Sequence, residues 1–152
     1  MSLKDRLYND MKEAMKAREA GKLRLAVIRM ARAAIKNREI EVGHELSDDE
    51  IIGVLAKEVK MRRDALPDYK NAGRVEKVAE LEDEIKILEE YLPQQMSKDE
   101  IIQMAREVIA AVGASSERDL GKVMGALMPK VRGRADGKMV NQIVRELLSS
   151  GQ

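Results

Sequence analysis

Apolar side chains recur three and four apart along almost the whole chain, and no alternating or β-branched run interrupts them, so the sequence reads as helix. Leu3, Leu7, Met11 and Met15 form the first stripe, behind Ser2, whose hydroxyl can cap a helix start. "EAGK" at 19–22 predicts a break, with Gly21 as the natural stop. A longer helix comes next, carrying Leu23, Val27, Met30 and Ala34 on one stripe and ending at Gly43. "LSDDE" at 46–50 is a helix start, with Ser47 as cap and acids in the first turn, where the helix dipole favours them. Ile52, Leu55, Val59 and Leu66 are its inward positions; Pro67 predicts a kink and "NAG" at 71–73 a turn. Val78, Leu81, Ile85, Leu88 and Leu92 then repeat in 3-4-3-4 spacing, the seam of an antiparallel helical hairpin.

"YLPQQMS" at 91–97 is the best candidate boundary, because Pro93 stops a helix and Ser97 caps a new one in "SKDE". Three shorter helices lie beyond it. Ile101, Ala105, Val108 and Val112 line the first, closed by Gly113. Ser116 is the predicted cap of the second, which turns Leu120, Val123, Met124, Leu127 and Met128 inward. Asp136 caps the third, with Met139, Val140, Ile143, Val144 and Leu147. The expected fold is therefore all-α: an N-terminal domain of about four helices over 1–92 with a long helical hairpin, a linker near 91–97, and a three-helix C-terminal domain over 97–152. The latter is close to the smallest size at which a core stands alone, so it is expected to lean on its neighbour or a partner.

Composition narrows this further. Of the 152 residues 44% are hydrophobic and 36% charged, with ten Met, three Tyr and no Phe or Trp, so the core must be aliphatic. Cysteine is absent, which excludes disulfides, thiolate metal sites and a cysteine nucleophile. The first residues, "MSLKDRLYND", carry charge where a signal peptide needs an apolar run, and no segment is apolar enough to span a bilayer. The expectation is a cytoplasmic protein with no membrane partner. Net charge is only +1, but it is sorted along the chain. Lys12 to Arg38 holds nine basic residues against two acids, and Arg118 to Arg145 seven against two.

A search for chemistry returns little. His44, the single histidine, lies between acids on a predicted loop and reads as a solvated turn residue, so neither a zinc site nor another cofactor is expected. "SDDE" lacks the alternating oxygen ligands of a calcium loop. Ser115 and Ser116 have no base beside them, and "GASSERDLGK" has Val123 where a phosphate-binding loop needs Ser or Thr. Glu80, Glu82, Asp83, Glu84, Glu89 and Glu90 read as the wet face of a helix. No catalytic residue is assigned.

The most unusual stretch is "GKVMGALMPKVRGRADGKMV" at 121–140, with four glycines, one proline, five basic side chains and one acid. Gly121 and Gly125, four apart, predict a face for close helix packing. Lys122, Lys130, Arg132, Arg134 and Lys138 gather around a turn in which Gly133 suits a left-handed conformation and Asp136 caps the next helix. Two readings stand side by side: a basic turn with exposed amides that suits phosphate, or lysine and arginine complementing the dipole at a helix end.

"GASSERDLGKVMGALMPKVRGRADGKMVNQIVRELL" at 113–148 resembles the GatB/YqeY family, as do "LEEYLPQQMSKDEI" and "LRLAVIRMARAAIKNREIE" upstream, so the likeness covers nearly the whole chain. The resemblance implies a helical N-terminal domain joined to a tail like that of the GatB component of aspartyl/glutamyl-tRNA amidotransferase, the part that touches tRNA in that enzyme. The tail's "GK…KGKA" pattern falls on Gly121, Lys122, Arg132, Gly133, Arg134 and Ala135, and Asn141 matches the asparagine of its "LVNEL"-like run. The glutamine-dependent carbon–nitrogen ligase activity belongs to other domains and another component with no counterpart here, so the chain is not expected to catalyse that reaction alone. Three functions stay open: an accessory protein for tRNA or other structured RNA, a protein-interaction adaptor acting through the N-terminal helices with no RNA role, and an enzyme in its own right, an amidotransferase partner supplying a catalytic group. The expected protein partners are tRNA-amidotransferase or translation-related proteins. Arg29, Arg32 and Lys36 share a helix face and are a possible second basic surface, unless acids of the same domain neutralise them.

Overall fold

The structure, a computed structural model, describes residues 1–150; the last two residues of the predicted C-terminal domain lie outside the described residues. Among the described residues it holds seven α-helices and no strand, as the sequence predicts. They are α1 (Leu3–Lys16), α2 (Lys22–Val42), α3 (Asp48–Asn71), α4 (Val75–Glu89), α5 (Lys98–Val112), α6 (Leu120–Val131) and α7 (Gly137–Ser149). Short 3-10 turns precede α2 and α6 at Arg18–Gly21 and Glu117–Asp119. The backbone groups into two compact units, Met1–Pro93 with α1 to α4 and the chain from Gln94 onward with α5 to α7. Each has its own aliphatic core.

The local signals set the helix ends. Ser2 accepts a bond from the Asp5 amide at 3.1 Å. Ser47 and Ser97 form reciprocal capping boxes with Glu50 and Glu100. Gly43 and Gly113 close α2 and α5. Ser116 caps the 3-10 turn at Glu117–Asp119, and α6 starts only after it. Neither internal proline ends its helix: Pro67 and Pro129 lie inside the closing turns of α3 and α6.

Several inward positions differ from the predicted stripes. In α1 Ala14 is buried and Met15 is 49% exposed. Gly21 explains this: a side chain there would place its Cβ 2.3 Å from the Ala14 carbonyl oxygen, so Gly21 serves a backbone contact and does not stop α1, which ends at Lys16. In α2 the buried arc is Val27, Ile28, Ala31 and Ile35, whereas Met30 is 51% exposed. Two overlapping stripes were open to this helix, and its contacts with α1, α3 and α4 select one. In α3 Ile51 is fully buried and Ile52 only partly, and Leu66 packs at the edge of the core.

The largest departure is Glu84. It lies on the predicted wet face of α4, yet is buried and accepts a 2.8 Å bond from Arg62 Nε of α3. Arg62 is itself 6% exposed and also donates to Glu58, at 3.0 Å to its carbonyl and 3.2 Å to its carboxylate. Outside this pair, Arg63 meets Glu89 at 2.8 Å, so α3 and α4 are stitched along their length. Tyr91 and Leu92 also belong to the first core. The Tyr91 hydroxyl donates to the Asp10 carboxylate, and the Arg6 guanidinium lies 4.8 Å from its ring. Burial first, and then the Asp10 carboxylate, push that hydroxyl's pKa up, so it stays a donor.

Removing one partner of a buried charge pair leaves the other uncompensated. Arg62→Ala should therefore destabilise the first unit by about 3–5 kcal/mol, while the paired change Arg62→Met with Glu84→Leu should recover most of that loss. Urea unfolding followed by circular dichroism measures both.

Candidate nucleic-acid interface

α6 and α7 meet at a turn over 132–136. Val131, the last residue of α6, is completely buried, and Gly133 stands two residues on with φ +76, a conformation that only glycine adopts without strain. The Arg134 and Ala135 amides both donate back to the Val131 carbonyl, at 2.8 and 3.1 Å. Asp136 then accepts from the Lys138 amide at 3.3 Å and starts α7.

A strap formed by Gln94, Gln95 and Met96 holds this turn from outside. Gln95 Nε2 donates to the Gly133 carbonyl at 2.8 Å, and the Met96 amide donates to the Arg134 carbonyl at 2.8 Å. In return Arg134 Nε donates to the Gln94 carbonyl at 3.1 Å. Two amides of the turn are therefore not bare: those of Arg134 and Ala135 already have an acceptor, and Gly133 is buried. The strap itself carried no signal in the sequence, since a polar pair after a proline reads as linker.

What faces outward is side-chain charge. Lys122, Lys130, Arg132 and Lys138 are exposed, and none of their side chains makes a hydrogen bond or ion pair with another described residue. Lys122 lies near enough to Asp119 to help hold that carboxylate below its usual range, though a hydrogen bond from the Ser115 amide is the main cause. Arg134 is half-buried under the strap. Asn141 faces along α7, and its carbonyl oxygen accepts a 2.8 Å bond from Arg145 Nε, so it positions an arginine.

Gly121 and Gly125 are exposed, and a Cβ on either would meet nothing within 4 Å. The predicted close packing of a neighbouring helix on this face is therefore absent among the described residues. α6 carries two helix-weakening residues with no internal contact to justify them.

The second basic group lies on α2. Arg32 Nη1 donates to the Met11 sulfur at 3.1 Å, and its guanidinium lies 5.3 Å from the Tyr8 ring. The acids at the end of the hairpin make no ion pair with this group: Glu84 and Glu89 of α4, and Glu90 just beyond it, pair with Arg62, Arg63 and Arg24. His44 is an exposed loop residue whose Nδ1 lies 2.8 Å from the Glu45 carbonyl. Among the described residues no group of three or more His, Asp or Glu is placed to hold a metal ion, and no helix is long and apolar enough to cross a membrane.

Comparison with known proteins matches this chain over residues 4–148 to the model of the family described as Yqey-like protein. The chain belongs to that family. It is 24% identical over 148 residues to "Altered inheritance of mitochondria protein 41, mitochondrial" of Pyrenophora tritici-repentis, covering 95% of this chain and 80% of the relative. A shorter stretch of 47 residues is 49% identical to a glutamyl-tRNA(Gln) amidotransferase subunit of Thermococcus gammatolerans, and one of 56 residues is 48% identical to the subunit of the same name from Aeropyrum pernix. These stretches are 31% and 34% of this chain but only 7% and 8% of the amidotransferase proteins. The likeness to those proteins is therefore confined to a short stretch of each.

Two expectations concern the stability of the Yqey-like fold. Gly121→Ala and Gly125→Ala should each raise stability by about 1 kcal/mol, because alanine is the better helix former and space is open, whereas Gly133→Ala should cost about 1–2 kcal/mol; thermal unfolding reads the opposite signs. Glu100 and Asp119 are held below the usual carboxylate range, chiefly by hydrogen bonds from the Ser97 and Ser115 amides. Their contribution is complete above the ordinary values of 4.5 and 3.8, and should fade as pH falls through the depressed folded-state values in an acid titration of stability.

Proposed function

We propose that this Yqey-like protein is an accessory RNA-associated protein whose α5–α7 unit is a separate domain that contacts tRNA, or RNA of similar shape, through phosphates. One observation carries the reading: the side chains of Lys122, Lys130, Arg132 and Lys138 project from α6, the strapped turn and α7 without an ion-pair partner among the described residues. Surface cations without partners are free to release counterions from a phosphate backbone. The amidotransferase relatives support the choice of tRNA, since tRNA is in their name. Residues 97–150 contain no aromatic side chain, so base stacking is not part of the mechanism. The bare glycine face of α6 beside Lys122 lets a phosphate chain approach the helix closely.

In this reading Gly133, Arg134 and Asn141 shape the site. Gly133 lets the chain turn, the strap fixes Arg134, and Asn141 orients Arg145. The chain contributes contact and not catalysis, and an amidotransferase or other translation-related protein is the class of partner it would serve. A cytoplasmic setting is kept as part of the proposal; the fungal relative's own name places that relative in the mitochondrion.

The test is tRNA binding by the full chain at two salt concentrations. Four phosphate contacts predict roughly a hundredfold affinity loss between 50 and 200 mM salt. Changing Lys122, Lys130 and Arg132 to Glu should abolish binding with the circular dichroism spectrum unchanged, because those side chains make no internal bond. Absence of binding at low salt would leave these cations as helix-end electrostatics.

A further inference from the structure

The first unit carries a groove that the RNA reading does not use. It runs between α1 and α2 and encloses about 530 Å³. Its floor is apolar, made by Leu7 and Met11 of α1 and Ala33 and Ile35 of α2. Arg29, Arg32 and Lys36 line the same groove. Elsewhere in this unit Arg24, Arg38, Arg62 and Arg63 each reach a carboxylate within 3.2 Å. Arg29, Arg32 and Lys36 form no ion pair with any described residue. Acids do stand at one end of the groove, yet Glu39 is engaged by Lys4 and by the Leu46 amide at 2.9 Å, and Glu45 lies 4.0 Å from Lys4.

We infer that this groove docks an acidic amphipathic helix of a partner protein. Charge complementarity sets the sign: three cations without an ion pair flank an apolar floor. Of the two acids at its end, Glu39 is held by Lys4 and the Leu46 amide, with Lys36 near enough to add to its field, while Glu45 is almost fully exposed. Spacing sets the form. Arg29, Arg32 and Lys36 stand at i, i+3 and i+7, so they rise about 10 Å along one face of α2, two helical turns. A helix laid alongside meets them with carboxylates in the same register and turns its apolar stripe onto Met11, Ala33 and their neighbours. RNA fits less well, because a phosphate chain would leave that apolar floor uncovered. Arg32 is already held in place by the Met11 sulfur and the Tyr8 ring, so less side-chain freedom is lost when a carboxylate arrives.

Docking here does not depend on RNA binding by the other unit, and the test separates the two. The probe is a fluorescein-labelled peptide of about 16 residues, long enough to become helical on contact, with Glu at i, i+4 and i+7 beside a leucine stripe. Fluorescence anisotropy with the full chain should show saturable binding. A shuffled peptide of equal composition, with Glu and Leu no longer on defined faces, should bind about tenfold or more weakly. Arg29→Gln with Arg32→Gln and Lys36→Gln should cost about tenfold as well, the sum of a few modest ion pairs. Ala33→Tyr, which fills the floor without touching charge, should weaken the designed peptide while the circular dichroism spectrum stays unchanged. Changing Lys122, Lys130 and Arg132 to Glu should leave peptide binding intact. Equal binding of the shuffled peptide, no binding at all, tRNA binding that the glutamine changes abolish, or a dimer in sedimentation that they dissolve would each overturn the assignment.

Discussion

The first unit is organised around a guanidinium that has been taken out of water. Arg62 is buried beside a largely aliphatic core, and its position is tenable only because Glu84 and Glu58 reach it from α4 and from its own helix. A charge left unpaired in such surroundings costs several kcal/mol, so α3 and α4 have one register in which the pair forms. A purely aliphatic seam of leucine and isoleucine would tolerate a slip by one helical turn far better. The pair thus selects among packings that hydrophobic burial alone leaves close in free energy.

Charge is handled in opposite ways in the two units. In the first, Arg24, Arg62 and Arg63 close onto Glu90, Glu84 and Glu89, while Arg29, Arg32 and Lys36 line the groove between α1 and α2. In the second, the exposed cations of α6, the turn and α7 surround a turn whose Arg134 and Ala135 amides and Gly133 and Arg134 carbonyls are already bonded. A near-zero net charge conceals both arrangements. Sorting, not total charge, is what makes a weakly charged chain capable of attracting a polyanion at one place and an acidic helix at another.

The strap from 94 to 96 explains how so glycine-rich a turn keeps a defined shape. Gly133 supplies the left-handed step, and three hydrogen bonds with the strap then remove the freedom that glycine brings. The result presents Arg132 and Lys130 from a fixed frame. Gly121 and Gly125 play no such part: they leave the helix surface bare.

Much of this was legible along the chain. Helix starts at Ser2, Ser47, Ser97 and Asp136, ends at Gly43 and Gly113, and the hairpin turn near Gly73 all come from interactions within a few residues, which periodicity and capping rules capture. The basic cluster around 122–138 was equally visible, because charge is a property of the residues themselves. What the fold alone decided is which side of each helix faces inward. Met30 turns out and Ala31 in, Glu84 is buried among acids that are not, and Gly121 meets open space where packing was expected. Those outcomes depend on helices remote in the chain, and so does the strap, whose partners lie about forty residues away. Local rules cannot anticipate a neighbour that only tertiary structure brings into place.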